Sequence, residues 1–173
     1  MTEAEEPIRN RVEASGLVTV DLAQWVQVPT LVAVDLASYL WQGWVLKEGE
    51  FRDALQAWSE EAYAGKQVAL HCSTDAILPD WSWMLATSRL VALGASVRVG
   101  NVEDVKNQLI ADQIRSKDLS AFRDARLVIK GCSDAGGAVA LSVLIERLQP
   151  LAASVMYGEP CSTVPIWKRP VHR

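Results

Sequence analysis

Apolar residues along this 173-residue chain fall into short β-branched runs separated by stretches with helical spacing. LVTVDL (17–22) and TLVAVDL (30–36), on either side of Pro29, predict two short strands. Before them, EPIRNRVEASG sets Ile8 and Val12 four residues apart, with Pro7 near its start and Gly16 at its end. That pattern predicts a short helix with one apolar face. Beyond a break near Gly43, a helix is predicted from about Glu48 to Ala62, and EDVKNQLIADQIRS (103–116) predicts another.

Two longer stretches repeat one another. QVALHCSTDAILPDWSWMLATSRLVALGASVRVG runs from Gln67 to Gly100, and RLVIKGCSDAGGAVALSVLIERLQPLAASVMYG from Arg126 to Gly158. In each, an apolar run meets Cys-Ser, an Asp follows two or three residues after the cysteine, and a helical stretch ends at Arg-Leu. Arg89 stands as far before Gly100 as Arg147 does before Gly158. From the cysteine onward the copies differ in length only in the loop after it, by two residues.

Each copy reads strand, loop, helix, strand, with VAL, SVRV, LVIK and SVMY as strands between helices. This is the pattern of βαβ units in a parallel sheet, and right-handed crossovers then place helices on both faces. The expected fold class is α/β, a three-layer αβα domain with a mostly parallel sheet, two internal repeats and an N-terminal extension. As a single domain over 1–173, it comprises an N-terminal helix and short strands (1–47), repeat one (about 48–100) and a connecting helix (about 103–116). Repeat two (about 118–158) and an extended C-terminal tail (159–173) complete it.

Composition narrows the function classes. Half of the residues are hydrophobic and 22% are charged, an ordinary globular balance. A net charge of -4, from 17 Lys and Arg against 21 Asp and Glu, argues against non-specific nucleic-acid binding. The basic end WKRPVHR reads as a solvated terminus. MTEAEEPIRN lacks the order of a signal peptide, and no apolar run reaches the ~20 residues of a membrane span. A cytoplasmic protein without a membrane partner is expected, and a homo-oligomer is compatible with the sequence.

The three cysteines carry the candidate chemistry. None lies in a CxxC, and an odd number does not suggest a secreted disulfide framework. Cys72 and Cys132 follow equivalent strands, and Cys161 follows SVMY, so all three are expected along the sheet's carboxyl edge, where α/β proteins bind ligands. A thiol near a helix start is favoured as thiolate, the nucleophilic and metal-ligating form. Three converging thiolates call for a soft cation or an iron–sulfur unit to neutralise them. Cys72, Cys132 and Cys161 are therefore candidate metal ligands, for zinc or an iron–sulfur cluster. Ser73, Asp75, Ser133, Asp134 and Ser162 are candidate binding residues beside them.

Plainer roles exist for the same residues. Free cysteine often serves as a small apolar filler, and Asp75 and Asp134 suit helix N-caps. HCS at 71–73 resembles the start of a cysteine-phosphatase loop, but Leu78 stands where that loop needs arginine, and Gly131 replaces His71 in the second copy. Gly136 and Gly137 open a helix without forming a nucleotide-binding motif. Seven tryptophans (25, 41, 44, 58, 81, 83 and 167) suit core packing. One of the alternating Trp81 and Trp83 is expected at the surface, where tryptophan suits partner interfaces.

Five strings together carry a family likeness: NRVEASGLVTVDL, QGWVLKEGEFR, YAGKQVALHCSTDAILPDWSWMLA, VIKGCSD and YGEPCSTVPIWKRP. Over roughly Ile8 to Pro170 the chain resembles the bacterial domain of unknown function 2480 family. The resemblance implies no assigned activity. It implies a gene neighbourhood shared with the sulfur-mobilisation (Suf) system, hence a role in sulfur, iron or cluster handling with iron–sulfur assembly proteins as partners. The family's cysteine motifs fall on Cys72, Cys132 and Cys161. One departure is the glycine-rich DAGGAV after Cys132, where proline and bulkier residues are expected.

Three functional readings stand at this point. The first is a non-catalytic accessory factor using the three cysteines as a soft-ligand site. The second is a thiolate-dependent enzyme or persulfide carrier, with Cys132 as nucleophile. The third is a protein-interaction scaffold with structural cysteines.

Overall fold

The computed structural model describes residues 16–131, 135–159 and 162–170. The helix expected before Gly16 lies outside them. In chain order the elements are β1 (Leu17–Asp21), α1 (Leu22–Trp25), β2 (Leu31–Asp35), a 3-10 turn (Leu36–Tyr39), α2 (Glu48–Gln56) and α3 (Glu60–Tyr63). Then come β3 (Gln67–His71), α4 (Asp80–Ala92), β4 (Ser96–Val99) and α5 (Val102–Ser116). A 3-10 turn (Ser120–Phe122), β5 (Arg126–Lys130), α6 (Gly137–Leu148), β6 (Ser154–Glu159) and β7 (Ser162–Lys168) follow.

The mixed α/β class and the mostly parallel pairing are as expected, but there are two sheets where one was expected. One has the order β2-β3-β4, all parallel; the other has the order β1-β5-β6-β7, parallel except for the last pair. The chain divides accordingly into two compact units. Val28–Leu109 forms one, and the described residues up to Gln27 together with those from Ile110 onward form the other. The N-terminal strands are therefore not an extension. β1 pairs with β5, and β2 with β3, so each sheet receives one of them.

Within a unit, strand order follows chain order. Successive right-handed crossovers then put both helices on the same face, because only a reversal of strand order moves a helix to the other side. Packing agrees. Val34, Val68 and Leu70 share a face through the β2–β3 register, and they form one core with Phe51 and Leu55 of α2 and Ala86 and Leu90 of α4. In the other unit Val20, Leu127, Ile129 and Val155 share a face and a core with Ile110 and Ile114 of α5 and Val143 and Leu144 of α6. The expected connecting helix is thus a crossover helix, the counterpart of α2.

The internal repeat is correspondingly longer than its cysteine-bearing part. LVTVDLA (17–23) and LVAVDLA (31–37) open the two copies. In each, the aspartate ends the strand and its carboxylate accepts the N–H two residues on, from Ala23 at 3.0 Å and from Ala37 at 2.9 Å. The leucine between them is buried, Leu22 in one core and Leu36 in the other.

The paired arginines also share a role. Arg89 donates to the carbonyls of Leu55 (3.0 Å) and Trp58 (2.7 Å) at the end of α2, and Arg147 to those of Ile114 (2.6 Å) and Lys117 (2.8 Å) at the end of α5. The last carbonyls of a helix lack intrahelical donors, and each guanidinium supplies them. The helix expected over about 48–62 breaks at this clamp into α2 and α3. Arg147→Ala is expected to lower stability by about 1–3 kcal/mol, read as a shift in the urea midpoint, since two half-buried carbonyls lose a charged donor.

The expected C-terminal tail is largely a strand. β7 runs back along β6 from Ser162↔Glu159 to Lys168↔Ser154, with a bulge opposite Val155 and Met156. Arg169 then pairs with Asp124 and donates to the Leu151 carbonyl at 2.7 Å, fastening the chain beyond the strand. No described helix is long and apolar enough to cross a membrane.

Candidate functional site

In both sheets the parallel strands end on the edge that carries the cysteine loops. In the Val28–Leu109 unit, Asp35 ends β2 level with His71, which ends β3. Cys72 follows, half-buried against the core, with its Sγ 3.4 Å from the Thr74 hydroxyl. Asp35 holds this loop: its Oδ1 accepts the Ser73 N–H at 3.0 Å as well as that of Ala37. Sequence reasoning passed over Asp35, although the match between LVTVD and LVAVD pointed to it.

Partial burial opposes ionisation of Asp35, but bonds from the Ser73 hydroxyl and the Ala37 and Ser73 amides, with His71 nearby, hold it below the usual carboxylate range. A carboxylate whose folded pKa is depressed contributes stability above its unfolded pKa and loses it as pH falls through the folded one. Asp35→Asn is therefore expected to be less stable by about 0.5–2 kcal/mol at neutral pH. The gap from wild type should narrow below about pH 4, in urea midpoints measured across that range.

Ser73 and Asp75 are exposed in the same loop. Asp75 does not cap a helix. α4 begins only at Asp80, with Pro79 in extended conformation at its N-cap and residues 76–79 outside any helix or strand. Trp81 and Trp83, one of which was expected at the surface, are both half-buried against the core. The prominent exposed tryptophans are instead Trp41 (47%) and Trp44 (70%). They flank a tight turn in which Gln42 and Gly43 have positive φ, closed by the Trp41–Val45 bridge.

In the other unit β5 and β6 are neighbouring parallel strands with Ile129 level with Tyr157. Their carboxyl ends are tied twice. Lys130 Nζ lies 2.7 Å from a Glu159 carboxylate oxygen, and the Tyr157 hydroxyl reaches the Gly131 carbonyl at 3.5 Å. Under this edge is an apolar crevice of about 250 Å³ lined by Ile129, Leu141, Ile145, Tyr157 and Ile166. Gly131 stands against it. A Cβ there would lie 3.7 Å from Leu141 and 3.8 Å from Tyr157.

Cys132, Ser133, Asp134 and Cys161 lie outside the described residues. Chain connectivity sets Cys132 directly after Gly131, and Cys161 directly before Ser162, which is exposed at the start of β7. Among the described residues no group of three or more His, Cys, Asp and Glu side chains could hold a metal ion, and Cys72 is a free thiol.

The sequence profile of the family described as "Protein of unknown function (DUF2480)" matches residues 6–169. The chain belongs to the DUF2480 family. Neither a curated protein nor a solved structure matches it. Within this DUF2480 chain the profile spans all of the described strands and both copies of the repeat.

Proposed function

We propose that this DUF2480 protein handles a soft metal, sulfur or an iron–sulfur unit through its cysteine thiols, as a cytoplasmic accessory factor alongside iron–sulfur assembly proteins. The observation that supports it most is the tied carboxyl edge of β5 and β6. Lys130–Glu159 and Tyr157–Gly131 hold together the strand ends that Cys132 and Cys161 follow. Zinc or iron takes thiolates with additional ligands, so these two thiols are the core of the reading. Cys72 follows β3 of the other sheet.

Anaerobic titration with zinc, and reconstitution with ferrous iron and sulfide, tests the reading. Wild type should bind, and Cys132→Ser and Cys161→Ser should each lose most of the bound metal. Cys72→Ser reports whether the third cysteine contributes. Equal metal content in wild type and all three variants would remove the proposal. A thiolate-enzyme variant of the same reading requires a thiol that alkylates well below its ordinary pKa of about 8.5.

A second reading, the interaction scaffold, draws on Trp41 and Trp44. Two exposed indoles on one tight turn, with Lys47 Nζ 4.7 Å from the Trp41 ring centroid, suit the aromatic anchors of a protein interface. Loss of partner capture in a Trp41→Ala/Trp44→Ala variant that keeps its metal would favour it.

A further inference from the structure

A second cavity lies at the opposite end of the β5–β6–β7 sheet from the cysteine edge. It is a cleft of about 430 Å³, lined by Arg126, Ser154, Met156, Pro165, Trp167 and Lys168. Its construction follows from strand register. Arg126 is level with Ser154, and Ser154 with Lys168, so a guanidinium, a hydroxyl and an ammonium stand in one row across three strands. Neighbouring strands are about 4.8 Å apart, which puts the two cationic residues on the order of 10 Å from each other, on either side of the serine.

The next row on that face is apolar. The bulge in β7 sets Pro165, rather than Ile166, opposite Met156. A bulge redirects the side chains beside it. Ile166 turns to the crevice under α6, while Pro165 and Trp167 line the cleft. Cations at one end and a Met–Pro–Trp wall at the other describe the two halves of one kind of ligand.

We infer that this cleft binds a small amphipathic carboxylate, with its anionic head between Arg126 and Lys168 and its flat apolar body against Met156, Pro165 and Trp167. A charged head fixed by Arg and Lys within an otherwise apolar lining is the usual division of labour in small-molecule sites. Arg126 and Ser154 begin β5 and β6, whereas the cysteines follow the ends of those strands, so the inference does not depend on the thiol reading.

The test uses 2-naphthoate as probe and 2-naphthylmethanol as its neutral counterpart, with isothermal titration of the full chain. Saturable binding of the carboxylate is expected below millimolar concentration, with the alcohol weaker by about tenfold or more. Lys168→Ala should weaken the carboxylate by about tenfold, and Lys168→Ala/Arg126→Gln by more. Lys168 is exposed and ends its strand, so its replacement leaves the core intact. Absence of saturable binding, equal affinity for acid and alcohol, or a Lys168→Ala variant that binds as wild type would each overturn the inference.

Discussion

Phe51→Ala is expected to lower stability by about 3–5 kcal/mol, the largest effect of any single replacement considered for this protein. Phe51 is 1% exposed at the centre of the Val28–Leu109 core. Its ring meets Tyr39 edge-on at 5.5 Å and Trp81 at 6.3 Å between centroids. Truncation removes these ring contacts and leaves a cavity that Tyr39 cannot swing in to close, because it is held by a further neighbour. Trp58 meets Tyr39 edge-on and donates its indole N–H to that hydroxyl at 3.0 Å. Urea unfolding followed by tryptophan fluorescence reads the loss directly, since Trp58 and Trp81 sit in this core. Phe51→Leu should lose much less. If alanine and leucine fall together within about 1 kcal/mol of wild type, the core is not organised around this ring.

Gly136→Ala is expected to cost about 2–4 kcal/mol, from strain and overlap acting together. Gly136 is the N-cap of α6, with φ +90, a conformation that side-chain-bearing residues rarely adopt. A Cβ there would stand 2.7 Å from Cγ2 of Ile110 and 2.8 Å from the Ala140 methyl. Neither group can move aside. Ile110 is fully buried in α5, and Ala140 lies in the first turns of α6. Relief would require the start of α6 to shift away from α5. Gly137→Ala is the control: its Cβ would meet nothing within 4 Å, although its φ of +50 still carries some strain. Thermal and urea midpoints should therefore fall much further for the Gly136 variant than for the Gly137 variant.

Gly136 also shows how far the sequence could be read. DAGGAV was visible as a glycine-rich departure in the second copy, but nothing local says which glycine faces Ile110, twenty-six residues earlier. Strands were legible wherever β-branched residues ran together, as in LVTVD, LVAVD and RLVIK, because that preference is local. β7 was not. Pro160 and Pro165 argue against a strand in the abstract, yet Pro165 is tolerated because it sits beside the bulge of an edge strand, where a missing N–H is least costly. The helix boundary at Gln56 was hidden for a related reason. It depends on the Arg89 guanidinium, which approaches from α4.

The candidate site divides in the same way. Spacing alone aligned Cys72 with Cys132 and put both after strands, and the parallel strands do end on that edge. The residues that organise the edges, Asp35 in one unit and Lys130, Tyr157 and Glu159 in the other, were not singled out. Each acts through a bond to a residue on, or just beyond, another strand, and such bonds leave no short-range trace. The cleft at Arg126 and Lys168 was hidden for the same reason, since its cations are forty-two residues apart in the chain and meet only through the register of β6.

The sequence by itself determined the types of the main elements as far as β6, the repeat and the family, because β-branching, helical periodicity and recurring motifs are written in neighbouring residues. Tertiary structure alone decided that the strands form two sheets, that the N-terminal pair is shared between them and that the chain's end returns as a strand. Those outcomes turn on which backbone edges find each other. Backbone hydrogen bonds are the same for every residue except proline, so the choice rests with the packing of distant side chains.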